Sequence, residues 1–164
     1  MSRYMFITAD FPLSERDFQR PEVIRIEIEG TLALLKTEET DPDFCVFRAD
    51  EGLAEQVFTE KEFCYVLQYG KLSERCSAEI IQYIKENIRP GGEFELWNVW
   101  LGGDEDETSV EYWEVPVDEL TTADIEEFDS CKPWNAEYIN LEPWQEEYQE
   151  PYIERFTQYC MILK

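Results

Sequence analysis

The sequence predicts an α+β fold, in which a mainly antiparallel sheet is covered by one principal helix. Several segments alternate apolar and polar residues, as half-buried strands do. One segment, from about residue 77 to 89, instead repeats apolar residues at helical spacing. The chain has 164 residues, 43% of them apolar and 15% aromatic, which is enough to bury the core of a single compact domain over residues 1–164.

Short strands are predicted in the first third of the chain. The segment from Val23 to Glu29 is the clearest, because three isoleucines alternate with three charged residues. Gly30 then marks a turn or bulge, and a turn at residues 41–43 precedes the last of these strands. The other three predicted strands are Tyr4 to Thr8, Leu32 to Lys36 and Phe44 to Arg48.

Residues 60–69 carry two conflicting signals. Thr59 and Glu62 match a capping box, which would begin a helix. The segment from Phe63 to Tyr69 alternates aromatic and other residues as a strand does. Both interpretations stay open.

The principal helix is predicted to begin after Ser73 or Ser77 and to end at Pro90-Gly91-Gly92. Its apolar face consists of Ile80, Ile81, Ile84 and Ile88. A short acidic helix, from about residue 122 to 129, is predicted to begin at Thr121 or Thr122.

Two strands after the principal helix, Glu93 to Leu101 and Ser109 to Val115, are predicted to pair as a hairpin with an acidic tip. Trp97 and Val99 share one face with Glu93 and Glu95. A sheet buried on one side only should not expose two large apolar residues. We therefore expect either a second layer over this face or a binding partner.

The last predicted strand runs from Glu154 to Leu163 and is largely apolar on both faces, so we expect it inside the sheet. The five cysteines are widely spaced and odd in number, which favours free thiols in the cytoplasm. Three of them are predicted core residues: Cys45, Cys64 and Cys160.

Charge is distributed unevenly along the chain. The acidic, tryptophan-rich half, from about residue 90 to 154, holds twenty Asp or Glu residues and one base, Lys132, which gives −19 of the total −24. All five tryptophans lie in the same half. Solubility alone does not require the bases to be absent there, so the segregation favours contact with a cationic surface.

Composition also argues against several classes of function. Phosphate binding needs clustered Lys and Arg, so neither nucleic acid nor an anionic membrane is expected as a direct partner. No apolar run is long enough to span a membrane. The chain has no histidine and no nucleotide-binding or zinc motif, so no enzyme activity, cofactor or metal is predicted.

Three less specific alternatives remain. Residues 104–107 offer oxygen ligands for a hard cation. A carboxyl pair flanked by tryptophans would suit a glycosidase. An extended row of carboxylates spaced like phosphates would suit a nucleic-acid mimic that blocks a host DNA- or RNA-binding defence protein.

The acidic and aromatic stretch from Glu93 through Glu147 resembles, in overall profile, the immunity proteins that bacteria make against nuclease toxins. The resemblance implies an inhibitor that binds its own basic toxin tightly and has no activity of its own. Trp134 and Trp144 are the expected anchors, and Trp144→Ala is expected mainly to raise the off-rate. The predicted partner-binding residues are Asp104, Glu105, Asp106, Glu107, Glu111, Trp113, Glu126, Glu127, Asp129, Trp134, Trp144, Glu146 and Glu147.

Overall fold

The structure, a computed structural model, describes residues 2–17, 23–28, 31–36, 44–101, 108–132 and 156–164. It confirms the α+β class. The strands are β1 (Ser2–Ala9), β2 (Val23–Ile28), β3 (Thr31–Lys36), β4 (Phe44–Arg48), β5 (Phe63–Tyr69), β6 (Phe94–Leu101), β7 (Thr108–Val115) and β8 (Phe156–Leu163). The helices are α1 (Glu51–Ala54), α2 (Glu74–Asn87) and α3 (Thr122–Ser130), and a 3₁₀ turn spans Val117–Glu119.

Six strands form one sheet in the order β4-β5-β1-β6-β8-β7. Every neighbouring pair is antiparallel except β7 and β8, which run parallel. Strands β2 and β3 form a separate antiparallel pair in which Val23 lies opposite Lys36. The predicted turns at residues 29–30 and 41–43 lie outside the described residues.

The predicted pairing of β6 with β7 is wrong, because β8 lies between them. Trp97 of β6 has Phe6 of β1 on one side and Cys160 of β8 on the other. A strand with two apolar faces, such as β8, belongs inside a sheet, as the sequence predicted. In β7 every residue is exposed or half-buried and none is fully buried, which suits an edge strand better.

The open question about residues 60–69 is answered in favour of a strand, β5. The hydroxyl of Thr59 does not cap a helix. It accepts a hydrogen bond from the backbone N–H of Lys61 at 3.0 Å and donates one to the Glu95 carboxylate.

Both predicted helices are present. Ser73 is the N-cap of α2 and accepts a hydrogen bond from the Cys76 N–H at 3.2 Å, so the helix begins three residues before the predicted residue 77. Ser77 is instead buried within the first turns. Thr121 and Asp124 form a capping box at the start of α3.

The sheet is covered on both faces. On one face, α2 and α3 contribute Ile80, Ile84, Ile125 and Phe128 to a core with strand residues such as Phe94. On the other face, Val57 and the residues around α1 cover Trp97 and Val99, which are only 1% and 0% exposed. A second layer, and not an unfilled binding surface, therefore accounts for these two apolar residues.

All five cysteines are free thiols. The three that the sequence placed in the core are buried, and so is Cys76. Cys131, at the end of α3, is the half-buried one.

Candidate functional site

Of the predicted partner-binding residues, the structure describes five: Glu111, Trp113, Glu126, Glu127 and Asp129. They lie on β7 and α3, and we call them the β7–α3 face. The remaining predicted residues lie outside the described part of the chain: Asp104, Glu105, Asp106, Glu107, Trp134, Trp144, Glu146 and Glu147.

Trp113 joins the two elements of this face. Its ring packs edge-on against Phe128 of α3, with 5.5 Å between the ring centroids. Because side chains alternate along a strand, Glu111 points to the same side of β7 as Trp113. Trp113 is half-buried against the core, so its ring contributes to folding as well as lining the face.

Three acids of the face are exposed and form no ion pair with any other residue that the structure describes: Glu111, Glu126 and Glu127. Residues 108–132 contain eight acids and a single base, Lys132. The negative potential of these three carboxylates is therefore left largely uncompensated within the described residues.

Asp129 differs from the other acids because it is neutralised inside the protein. Its carboxylate forms an ion pair with Arg3 of β1 and accepts a hydrogen bond from the Tyr69 hydroxyl at 2.5 Å. Burial and the neighbouring Asp129 raise the pKa of Tyr69, so the phenol stays protonated and remains a donor. Asp129 thus holds α3 on the sheet more than it adds to the exposed charge.

The C-terminal end of α3 is capped by side chains from the sheet. The helix has no basic residue in its last turn to offset its dipole. Arg3 instead donates to the Asp129 carbonyl at 2.7 Å, and buried Asn98 donates to the Phe128 carbonyl at 2.9 Å. These two bonds fix the acidic helix to β1 and β6.

Cys131, the C-cap residue of α3, lies within electrostatic range of three acids of the face. Burial raises the pKa of its thiol, and the carboxylates of Glu127, Glu111 and Asp129 raise it further. Burial and Glu111 also raise the pKa of Tyr159, whose hydroxyl donates to the Lys132 carbonyl at 3.0 Å. This hydrogen bond ties β8 to the residue that follows the C-cap of α3, and Glu111 of β7 lies within electrostatic range of both Tyr159 and Cys131.

Sequence reasoning missed the roles of Arg3, Asn98 and Cys131. Arg3 and Asp129 are 126 positions apart, so no local pattern connects them. Asn98 did carry a signal, since it is a polar residue between Trp97 and Val99 in an otherwise apolar strand.

A second feature is an open cleft of about 490 Å³ at the end of α2, lined by residues 88–93 with Val117, Asp118 and Lys164. It contains two carboxylates, Glu93 and Asp118. Glu93 already binds Lys61 at 2.9 Å and lies 3.7 Å from Lys164. No group of three potential metal ligands occurs among the residues that the structure describes.

Within the described ranges, no helix combines the length and the apolar character of a transmembrane span. Comparisons with protein-family models, with curated proteins and with solved structures gave no match to this chain.

Proposed function

We propose that this chain is a non-enzymatic binding protein that docks onto a basic protein. In the specific form of the proposal it is a cytoplasmic immunity protein that neutralises a basic, nuclease-like toxin by masking its positively charged surface. The observation that carries the proposal is the group of three exposed carboxylates, Glu111, Glu126 and Glu127, which have no ion-pair partner among the described residues.

The arrangement of the face supports this function physically. Unpaired, exposed carboxylates steer an oppositely charged protein and raise its association rate. They lie on the same two elements that hold a large aromatic ring, Trp113, against Phe128, and aromatic residues supply much of the holding energy in protein interfaces. Both parts of the face are held by strand β7 and helix α3, so little ordering is needed on binding.

The decisive experiment is co-expression of the tagged chain with the product of the neighbouring reading frame. We expect a strongly basic protein to co-purify, with an affinity that falls as salt is added. Failure of that protein to bind in low salt would remove the proposal in its specific form.

A charge-matched pair of variants tests the location of the binding surface. Glu111→Gln/Glu126→Gln/Glu127→Gln should raise the Kd by about tenfold, since three charge contacts are lost. The control, Glu51→Gln/Glu55→Gln/Glu62→Gln, removes the same charge from exposed residues on or near α1. Equal weakening by both variants would mean that only net charge matters and that the β7–α3 face is not the surface.

A further inference from the structure

The two edges of the main sheet differ. Strand β4 forms one edge, and its Val46 exchanges two backbone hydrogen bonds of 2.8 Å with Arg16. Strand β7 forms the other edge. Within the described part of the chain, the outward backbone groups from Val110 to Val115 have no hydrogen-bond partner.

An open edge of this length is a template for another strand, because its N–H and C=O groups are already aligned. Proteins that bind extended peptides use such edges: backbone hydrogen bonds supply affinity, and alternate side chains supply specificity. We propose that the β7 edge binds an extended segment, rich in Lys or Arg, from the basic partner. This inference rests on the proposed function and specifies how the partner would attach.

Charge selects this occupant over a second copy of the chain. Glu111 lies on the α3 side of the edge, because it is two residues from Trp113, whose ring packs against Phe128 of α3. Pairing two β7 edges would bring both sets of acids together, and like charges across strands are destabilising. A basic strand would instead place its cations opposite Glu111.

The other side of β7 also offers contacts. Tyr112 is 58% exposed, and its ring packs edge-on against Trp97 at a centroid distance of 6.3 Å. An added strand would lie beside this ring on one face and beside Glu111 on the other. We therefore expect basic residues to alternate with apolar ones in the bound segment.

The test uses a synthetic eight-residue peptide of alternating Lys and Val, with hydrogen exchange read by NMR at each amide of the intact chain. We expect the peptide to slow exchange at least tenfold at every second amide between Val110 and Val115, and to leave β4 unchanged. The control is the same peptide with all its amides N-methylated, which keeps its charge but cannot form the ladder. It should produce no slowing.

Proline variants give a second readout. Glu111 and Tyr112 are adjacent, so one of their N–H groups points to β8 and the other points outward. Of Glu111→Pro and Tyr112→Pro, the variant that leaves the amide protection of β8 unchanged identifies the outward N–H, and it should abolish the slowing. The alanine variant at the same position keeps the N–H and should retain more of the slowing than the proline variant.

The outcomes separate the two proposals. Absence of slowing at β7, or equal slowing by both peptides, overturns the added strand even where a basic protein co-purifies. Protection of β7 that appears without peptide and rises with protein concentration indicates self-pairing and also overturns it. The added strand is supported if the Lys-Val peptide slows exchange, the N-methylated peptide does not, and the outward proline variant loses the slowing. If the basic partner then fails to co-purify, that result counts against the immunity function and not against the added strand.

Discussion

The Thr59 hydroxyl donates a hydrogen bond of 2.5 Å to a carboxylate oxygen of Glu95. The same oxygen accepts hydrogen bonds from Thr8 at 2.8 Å and from the Trp97 indole at 3.0 Å. Glu95 therefore acts inside the protein, where it ties the segment after α1 to strands β1 and β6. Its negative charge belongs to the acidic half of the sequence, but its role is structural.

The first prediction concerns this hydrogen bond. Thr59→Val keeps the shape of the side chain and removes the donor, so the free energy of unfolding should fall by about 1–3 kcal/mol, as for other bonds to charged groups. Urea denaturation measures the loss. Thr59→Ser is the control and should retain most of the stability. Equal stability of the Val and Ser variants would contradict a role for the hydroxyl.

The second prediction concerns the anchoring of α3. Arg3→Met leaves the Asp129 carboxylate without its cation, close to the negative end of the helix dipole. We expect a loss of about 1–3 kcal/mol in the free energy of unfolding. The double variant Arg3→Met/Asp129→Asn should lose less free energy of unfolding than the sum of the losses in the two single variants, because it leaves no unpaired charge. Strict additivity in this double-mutant cycle would show that the ion pair contributes nothing.

The third prediction uses Cys131 as a natural probe of the β7–α3 face. Cys131 should react with iodoacetamide before the four buried cysteines, because it is only half-buried. It should react more slowly than the thiol of a small cysteine peptide in solution, because burial and the nearby carboxylates raise its pKa. Glu111→Gln and added salt should each speed the reaction. The distant change Glu55→Gln should leave the rate unaltered, and mass spectrometry of the alkylated peptides follows each site. A rate insensitive to both Glu111 and salt would argue against a concentrated negative potential.

The fourth prediction concerns pH. Burial lowers the pKa of Lys61, but hydrogen bonds and ion pairs with Asp10 and Glu93, at 2.8 and 2.9 Å, outweigh it and raise the pKa above its usual value. The stabilisation is therefore complete below the unfolded pKa of about 10.4 and is lost as pH rises through the higher folded value. At pH 8, Lys61→Met should reduce the free energy of unfolding by about 1 kcal/mol. The difference in the free energy of unfolding between the two proteins should shrink between about pH 10 and 12. Urea denaturation of both proteins at each pH measures it. A difference that stays constant up to about pH 12 would contradict the claim that the ion pairs of Lys61 stabilise the fold.

Most of the strands and the two longer helices follow from local sequence patterns. The apolar face of α2 and the two-sided apolar pattern of β8 each depend on residues within a few positions of one another. Local hydrogen bonds and side-chain periodicity act over that distance, so they can be identified without knowing the fold. The concentration of acids after residue 90 is likewise a property of the sequence alone.

The choice of neighbouring elements is a property of the folded chain and does not follow from local sequence patterns. The tertiary structure placed β8 between β6 and β7, covered Trp97 with residues from around α1, and joined Arg3 to Asp129. It also gave the four acids of α3 different roles: Asp124 caps the helix, Asp129 is paired with Arg3, and Glu126 and Glu127 remain exposed. The physical reason is that strand order and ion pairing depend on which distant segments bury each other's apolar faces, and local periodicity does not encode that choice.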